Sequence, residues 1–132
     1  MEEWLRQKIE KEGDHVCFTY RGYDCAIERV CPMQYLCGYV RIPETSVLYG
    51  RNCDDDLLYS LPGHGGITYT GHRFDDNGWW IGFDCAHIGD LLPGMPDIPI
   101  NRGEYRDMEY VKQQIKSLVD RIIHRKEKDV VI

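Results

Sequence analysis

The sequence lacks several features that mark membrane, secreted or nucleic-acid-binding proteins. No apolar run approaches the roughly 20 residues that a membrane-spanning helix needs. The first residues, MEEWLRQKIEKEGD, alternate charged and apolar side chains, unlike a secretory signal or a transit peptide. Basic residues are fewer than acidic ones, 16 against 22, and a net charge of −6 repels phosphate backbones. We therefore expect a cytoplasmic protein that binds neither membranes nor nucleic acid.

Cys-x-x-Cys pairs are also absent, although the chain has six cysteines, at positions 17, 25, 31, 37, 53 and 85. Such pairs are typical of structural zinc sites, and their absence argues against a zinc ribbon or knuckle. A disulfide framework needs an oxidising compartment, which is not expected without a signal peptide. We expect the thiols to be reduced and most of them to pack as small apolar side chains.

The length of 132 residues suits one domain, which we take as residues 1–132. The chain begins with a short predicted helix over 2–12, with Trp4, Leu5 and Ile9 on one side and Gly13 as its end. Alternating segments bounded by turn residues then predict strands. Strands are predicted at 16–20, 23–30, 35–42, 67–70 and 79–83, with a long loop containing one helical turn over 43–63.

The last third of the chain is predicted to be first irregular and then helical. Residues 91–103 carry three prolines and two glycines, which exclude a long regular element. Apolar residues then recur at intervals of three and four, which is typical of one buried helix face. They are Met108, Val111, Ile115, Leu118 and Ile122. The sequence therefore predicts an α+β domain, with a mainly antiparallel sheet of about five strands covered on one face by the long C-terminal helix.

Side chains capable of chemistry occur in two glycine-containing segments. The first is LPGHGG, in which His64 is followed by Gly65 and Gly66, residues that let a ligand approach the backbone closely. The second is WWIGFDCAHIGD (79–90), whose strand ends in Asp84, Cys85, His87 and Asp90. The two aspartates and His87 are spaced by three, so a helical or 3₁₀ turn would place them on one side.

An aspartate beside a histidine fixes the imidazole tautomer and raises its basicity, which suits a general base or a metal ligand. We therefore predict a catalytic set of His64, Asp84, His87 and Asp90. His64, His87 and Asp84 could also hold a divalent metal such as zinc. Further ligand contacts are predicted at Gly65, Gly66, Tyr69 and Trp80.

Two other interpretations of the second segment remain open. Asp84 and Asp90 could cap a short helix while His87 forms hydrogen bonds in the core, which would make the segment structural. Alternatively, Cys85 could be a nucleophile paired with a histidine, although on a strand it would point away from Asp84. His72 and His124 are expected to lie on the surface.

Four motifs together resemble a family of short, largely uncharacterised proteins of phages and prophages. They are LCGYVRIP (36–43), HGGITYTG (64–71), WWIGFDCAHIGD (79–90) and YRDMEYVKQQIKSLVD (105–120). The resemblance covers roughly residues 16–122, and His64, Asp84, His87 and Asp90 match its pattern. The family often has another small residue at the position of Cys85, which disfavours a cysteine nucleophile. A phage setting would be compatible with a counter-defence role, such as sequestering a nucleotide signal.

Three functions are compatible with these observations. The first is hydrolysis of a small polar substrate, assisted by the His and Asp side chains directly or through a metal. The second is a non-catalytic pocket for a small polar or nucleotide-like molecule, with backbone donors and stacking aromatic rings. The third is an interaction protein that binds a host factor. A pocket lined by both Tyr69 and Trp80 would favour the second.

Overall fold

The computed structural model of the protein describes residues 1–74, 77–95 and 103–130, with only the backbone for 127–130. Within these ranges, helices and strands follow each other in the order helix, three strands, short helix, two strands, long helix. Their bounds are α1 Glu3–Glu12, β1 His15–Tyr20, β2 Tyr23–Val30, β3 Tyr35–Ile42, α2 Asp56–Tyr59, β4 Tyr69–Arg73, β5 Gly78–Asp84 and α3 Met108–Val130.

The five strands form one antiparallel sheet in the order β1-β2-β3-β5-β4. Short turns join β1 to β2 and β2 to β3, because these strands are neighbours. The chain then leaves the sheet through the loop that contains α2, returns as the edge strand β4, and enters between β3 and β4 as β5. This order brings the end of β5, at Asp84, next to the start of β3, at Cys37. The predicted α+β architecture is confirmed.

The main core lies between the sheet and α3. The predicted apolar stripe of the helix is buried along its whole length, from Met108 to Ile122. It packs against side chains such as Ile27, Val40 and Phe83, which alternate along their strands toward the same face. Gly38 on β3 allows this close approach, since a Cβ there would lie 2.6 Å from the Phe83 ring.

The opposite face of the sheet carries a smaller, aromatic cluster. Its buried members include Tyr39 and Trp80, and Tyr69 and Phe74 pack around them edge to face. The Arg73 guanidinium lies 4.6 Å from the centre of the Tyr39 ring, where a cation is attracted to the π face. Asp84 shares this face with Trp80, as the alternation of β5 predicts.

Several predicted details need correction. In α1, Leu5 and Ile9 are buried but Trp4 is 58% exposed, because it lies at the edge of the apolar stripe. The strand predicted at 67–70 begins only at Tyr69 and continues to Arg73, since its ladder with β5 starts opposite Gly82. Residues 96–102 of the segment predicted to be irregular lie outside the described part of the chain.

All six cysteines are unpaired in the structure, but only three of them are buried. Cys25, Cys37 and Cys85 pack in the sheet, whereas the other three, at 17, 31 and 53, are exposed. The prediction that most would be packed therefore holds for half of them. Burial raises the pKa of Cys25 to about 12 and that of Cys37 to about 11, so these thiols are poor nucleophiles at neutral pH.

We expect thiol titration without reductant to find six free thiols in the denatured chain. In the native protein three should react quickly and three slowly, because only the thiolate of an accessible cysteine attacks the reagent. Time-resolved reaction with a chromogenic disulfide measures both numbers. Two or more disulfides in protein from a reducing cytosol would contradict the expected reduced state.

None of the described helices is both long enough and apolar enough to cross a membrane.

Candidate functional site

The segment after β5 is folded by its own carboxylates. Asp84 ends the strand, and its Oδ1 accepts the Ala86 N–H at 3.1 Å, the local bond that starts an Asx turn. A second turn follows, in which the Asp90 N–H donates to the His87 carbonyl at 2.9 Å. The Asp90 carboxylate accepts the His87 N–H at 3.0 Å in return. The spacing of three therefore does place these groups together, as two consecutive turns.

The loop before β4 brings His64 to the same place. Gly63, Gly65 and Gly66 all have positive φ, and the Gly66 N–H closes a turn onto the Gly63 carbonyl at 2.9 Å. This turn directs the His64 side chain inward, so that it is only 15% exposed. The Thr68 hydroxyl then donates to Asp84 Oδ2 at 3.0 Å, which ties the loop to the end of β5.

His64 belongs to a buried network centred on Asp90. Its Nε2 lies 2.7 Å from Asp90 Oδ2, and its Nδ1 lies 2.6 Å from the Tyr110 hydroxyl of α3. Because a carboxylate can only accept, Nε2 carries a proton toward Asp90, and Nδ1 forms the second hydrogen bond with the Tyr110 hydroxyl. Arg106 Nε donates to Asp90 Oδ1 at 2.8 Å. Both oxygens of this fully buried carboxylate are thus satisfied.

The electrostatics of this network keep Asp90 ionised. Burial favours the protonated carboxyl, but the hydrogen bonds from Arg106, the His87 N–H and His64 outweigh it and lower the pKa of Asp90. Burial raises the pKa of Tyr110, although Arg106 opposes this shift, so its hydroxyl remains protonated at neutral pH. Asp90 and Tyr110 are therefore both engaged in hydrogen bonds, and neither is available as a nucleophile.

A second Asp–His pair lies nearer to solvent. His87 Nε2 is 3.2 Å from Asp84 Oδ1, and the two side chains are 33% and 31% exposed. Nε2 is itself shielded and lies off the direction of a regular hydrogen bond, so the two atoms are close without forming one. A Cβ on Gly65 would lie 2.3 Å from Nε2, so only glycine allows the loop to cover this edge of the imidazole.

The two pairs adjoin each other. The His64 and His87 rings meet edge to face with their centres 5.7 Å apart. The four residues predicted as a catalytic set therefore converge, but as two pairs with different environments. Asp84 is paired with His87, whose side chain is one-third exposed, whereas Asp90 binds the buried His64. Of the open structural alternative, the structure has the backbone bonds of Asp84 and Asp90, but they close turns and cap no helix, and the His87 side chain makes no hydrogen bond in the core.

The geometry does not fit the predicted metal site. His64 uses both ring nitrogens in hydrogen bonds, to Asp90 and to Tyr110, so both nitrogens already have protein partners. Within the described ranges, no three His, Cys, Asp or Glu side chains are arranged to hold a metal ion. The structure therefore does not support His64, His87 and Asp84 as zinc ligands.

The other predicted ligand contacts are placed differently from one another. Gly65 covers His87, and Gly66 faces open space. Tyr69 and Trp80 belong to the aromatic cluster, and Trp80 lies four residues before Asp84, about 13 Å along an extended strand. The cavity between α2 and α3 is lined by neither ring, and a second one, beside β1 and β2, is lined by Trp80 but not by Tyr69. Cys85 is buried on the α3 side and its pKa is raised by that burial, which argues against a nucleophile.

Sequence reasoning missed Thr68, Arg106 and Tyr110, which position the two pairs. Tyr110 lies in the first turn of α3 and Arg106 lies two residues before it, with its guanidinium 5.0 Å from the centre of the Tyr110 ring. Their separation of four residues near a helix start was the available signal. It was missed because the apolar stripe of α3 explains the helix without these two residues.

The comparisons with known proteins add no assignment. No family model matches the chain, and neither a curated protein nor a solved structure matches it. The resemblance to phage proteins therefore remains a prediction.

Proposed function

We propose that the protein hydrolyses a small polar substrate, with His87 as the general base and Asp84 as the residue that orients it. The observation that supports this proposal is the Asp84–His87 pair, one-third exposed and at 3.2 Å, beside a buried pair that holds its surroundings. A general base must be reachable by substrate, and of the two histidines His87 is the more exposed.

The tautomer of His87 follows from its contact with Asp84. A carboxylate beside Nε2 favours the tautomer with its proton on that nitrogen, which leaves the lone pair on Nδ1. Nδ1 makes no hydrogen bond to any residue that the structure describes. It can therefore take a proton from water as the water oxygen attacks a carbonyl or phosphoryl centre. Asp84 then stabilises the imidazolium that forms.

Asp84 can perform this role because its own position is fixed. One oxygen accepts the Thr68 hydroxyl and the other accepts the Ala86 N–H. Ligand-free enzymes often hold catalytic contacts loosely, and a small rotation of the imidazole would align Nε2 with the carboxylate.

The buried pair has a positioning role in this proposal. Asp90 connects three separate segments, because it binds His64 of the glycine loop, the His87 N–H and Arg106 before α3. This holds Gly65 against the His87 ring and fixes the base relative to the loop. His64 and Asp90 therefore act through His87 and need not touch the substrate.

The test is hydrolysis of three chromogenic probes: p-nitrophenyl acetate, p-nitrophenyl phosphate and bis(p-nitrophenyl) phosphate. They represent carboxylic esters, phosphomonoesters and phosphodiesters, and released p-nitrophenolate measures the rate. For the probe that is turned over, we expect His87→Gln to lower kcat by about 10²–10⁴, the usual contribution of a general base. Asp84→Asn should lower it as well, because the wrong tautomer is then favoured.

The matched control is His124→Gln, an exposed histidine on α3. It should keep full activity, and all three variants should unfold within a few degrees of the parent protein. Full activity in His87→Gln would refute the proposal. Absence of turnover with all three probes, together with a small molecule that co-purifies with the parent but not with His87→Gln, would favour the non-catalytic pocket.

A further inference from the structure

A cavity of about 240 Å³ lies between the loop after β3, helix α2 and the last turns of α3. It is lined by none of the residues of the two Asp–His pairs. The cavity opens to solvent, and Val47 at its rim is 64% exposed. A concave, mainly apolar cleft with a few polar groups is a candidate ligand site. Its apolar walls are formed mainly by Tyr23, Val47, Leu48, Leu57, Leu61 and Ile122.

The charged groups that line the cavity have one sign. Arg125 and Lys126 follow Ile122 by three and four residues, which places all three on one side of α3. No acidic side chain is among the described lining residues. In a chain of net charge −6, this local positive character requires a separate explanation.

Both cations have donors available for a ligand. Arg125 Nη1 donates to the Leu57 carbonyl at 2.8 Å, which anchors the guanidinium beside the cavity. Among the side chains that the structure describes, which end at residue 126, Arg125 Nε and Nη2 have no hydrogen-bond partner and Lys126 has no ion-pair partner. The hydroxyl groups of Thr45 and Ser46 also line the cavity and offer neutral donors.

We propose that this cavity binds a small amphipathic carboxylate. Its apolar body would lie against Leu57, Leu61 and Ile122, where burial removes hydrocarbon from water. Its carboxylate would pair with Arg125 and Lys126, since charge-assisted hydrogen bonds to a guanidinium are strong and directional. The volume is below the usual range of drug-sized sites, so the body is small, comparable to a medium-chain fatty acid.

The test uses three probes with the same apolar body and different head groups: octanoate, octan-1-ol and octylamine. Each is titrated into the full chain below its micelle concentration, and binding is measured by calorimetry and by NMR shifts of α3 amides. We expect octanoate to bind about tenfold more tightly than octan-1-ol, with octylamine the weakest.

The double variant Arg125→Gln/Lys126→Gln should remove this preference but retain the binding of octan-1-ol. Arg121→Gln, an exposed cation of α3 outside the cavity, should change nothing.

A second variant tests the position of the apolar body. Leu57→Trp enlarges a half-buried wall residue into the cavity and should abolish octanoate binding while the two cations remain. No binding of octanoate to the parent protein, or equal binding of all three probes, would overturn the proposal. Concentration-dependent dimerisation that Leu57→Trp abolishes, without octanoate binding, would assign the cavity to a second copy and overturn it as well.

Discussion

We expect Asp90→Asn to lower the free energy of unfolding by about 3–5 kcal/mol, the usual loss when one partner of a buried ion pair is removed. The substitution keeps the shape of the side chain but removes its charge. Asp90 has no exposed side-chain surface, and it accepts from Arg106, His64 and the His87 N–H. An asparagine can satisfy at most part of these donors, because its NH₂ group is itself a donor. Denaturant titration of the two proteins measures the difference.

The matched control is the same change at the other aspartate, Asp84→Asn. Asp84 is about one third exposed, and its lost contacts can be replaced by water. We therefore expect a loss of at most about 1 kcal/mol, as for exposed ion pairs. If the two substitutions lowered the free energy of unfolding equally, burial would not distinguish the two Asp–His pairs energetically.

The contribution of Asp90 to the free energy of unfolding should depend on pH. The pKa of Asp90 is lowered in the folded state, so its ionised form contributes stability at every pH above the unfolded value, about 3.9. That contribution disappears as the pH falls from there through the lower folded pKa. The stability difference between the parent protein and Asp90→Asn should therefore be constant near neutral pH and shrink below about pH 4. A difference that grew in acid would contradict a lowered pKa.

Local patterns of the sequence were sufficient for the architecture. Alternation along the strands and the intervals of three and four in α3 predict which face of each element is buried. The buried faces then determine that the helix packs on the sheet. The strand order was not predictable in the same way. The position of β5 between β3 and β4 depends on pairing across the long loop that contains α2, and no local residue encodes that pairing.

The part of the site that could be predicted is the part whose residues are close together in the sequence. Asp84, His87 and Asp90 are close in sequence, and their turns follow from side chains that bond to nearby backbone groups. The division into an exposed and a buried pair depends on His64 and Tyr110, which arrive from distant segments. The contact of the second His64 nitrogen could not be predicted for the same reason, since the hydroxyl that it meets comes from α3.

We expect Leu118→Ala to lower the free energy of unfolding by about 2–5 kcal/mol, the range for truncating a buried leucine. Leu118 lies in the middle of the buried stripe of α3 and has no exposed surface. The substitution removes apolar contacts with the sheet and leaves a void that the surrounding strands can only partly fill. Because alanine is the better helix former, helix propensity cannot account for a loss.

The neighbouring residue provides the control for this prediction. Ser117 is exposed in the same helix turn, so Ser117→Ala should change the free energy of unfolding by at most about 0.5 kcal/mol. Denaturant titration of both variants, with equal m-values, measures the two changes on one scale. A neutral Leu118→Ala would mean that α3 does not pack on the sheet through this stripe. The placement of Tyr110 and Arg106 beside the buried Asp–His pair would then be wrong as well, because α3 and the residues before it carry them.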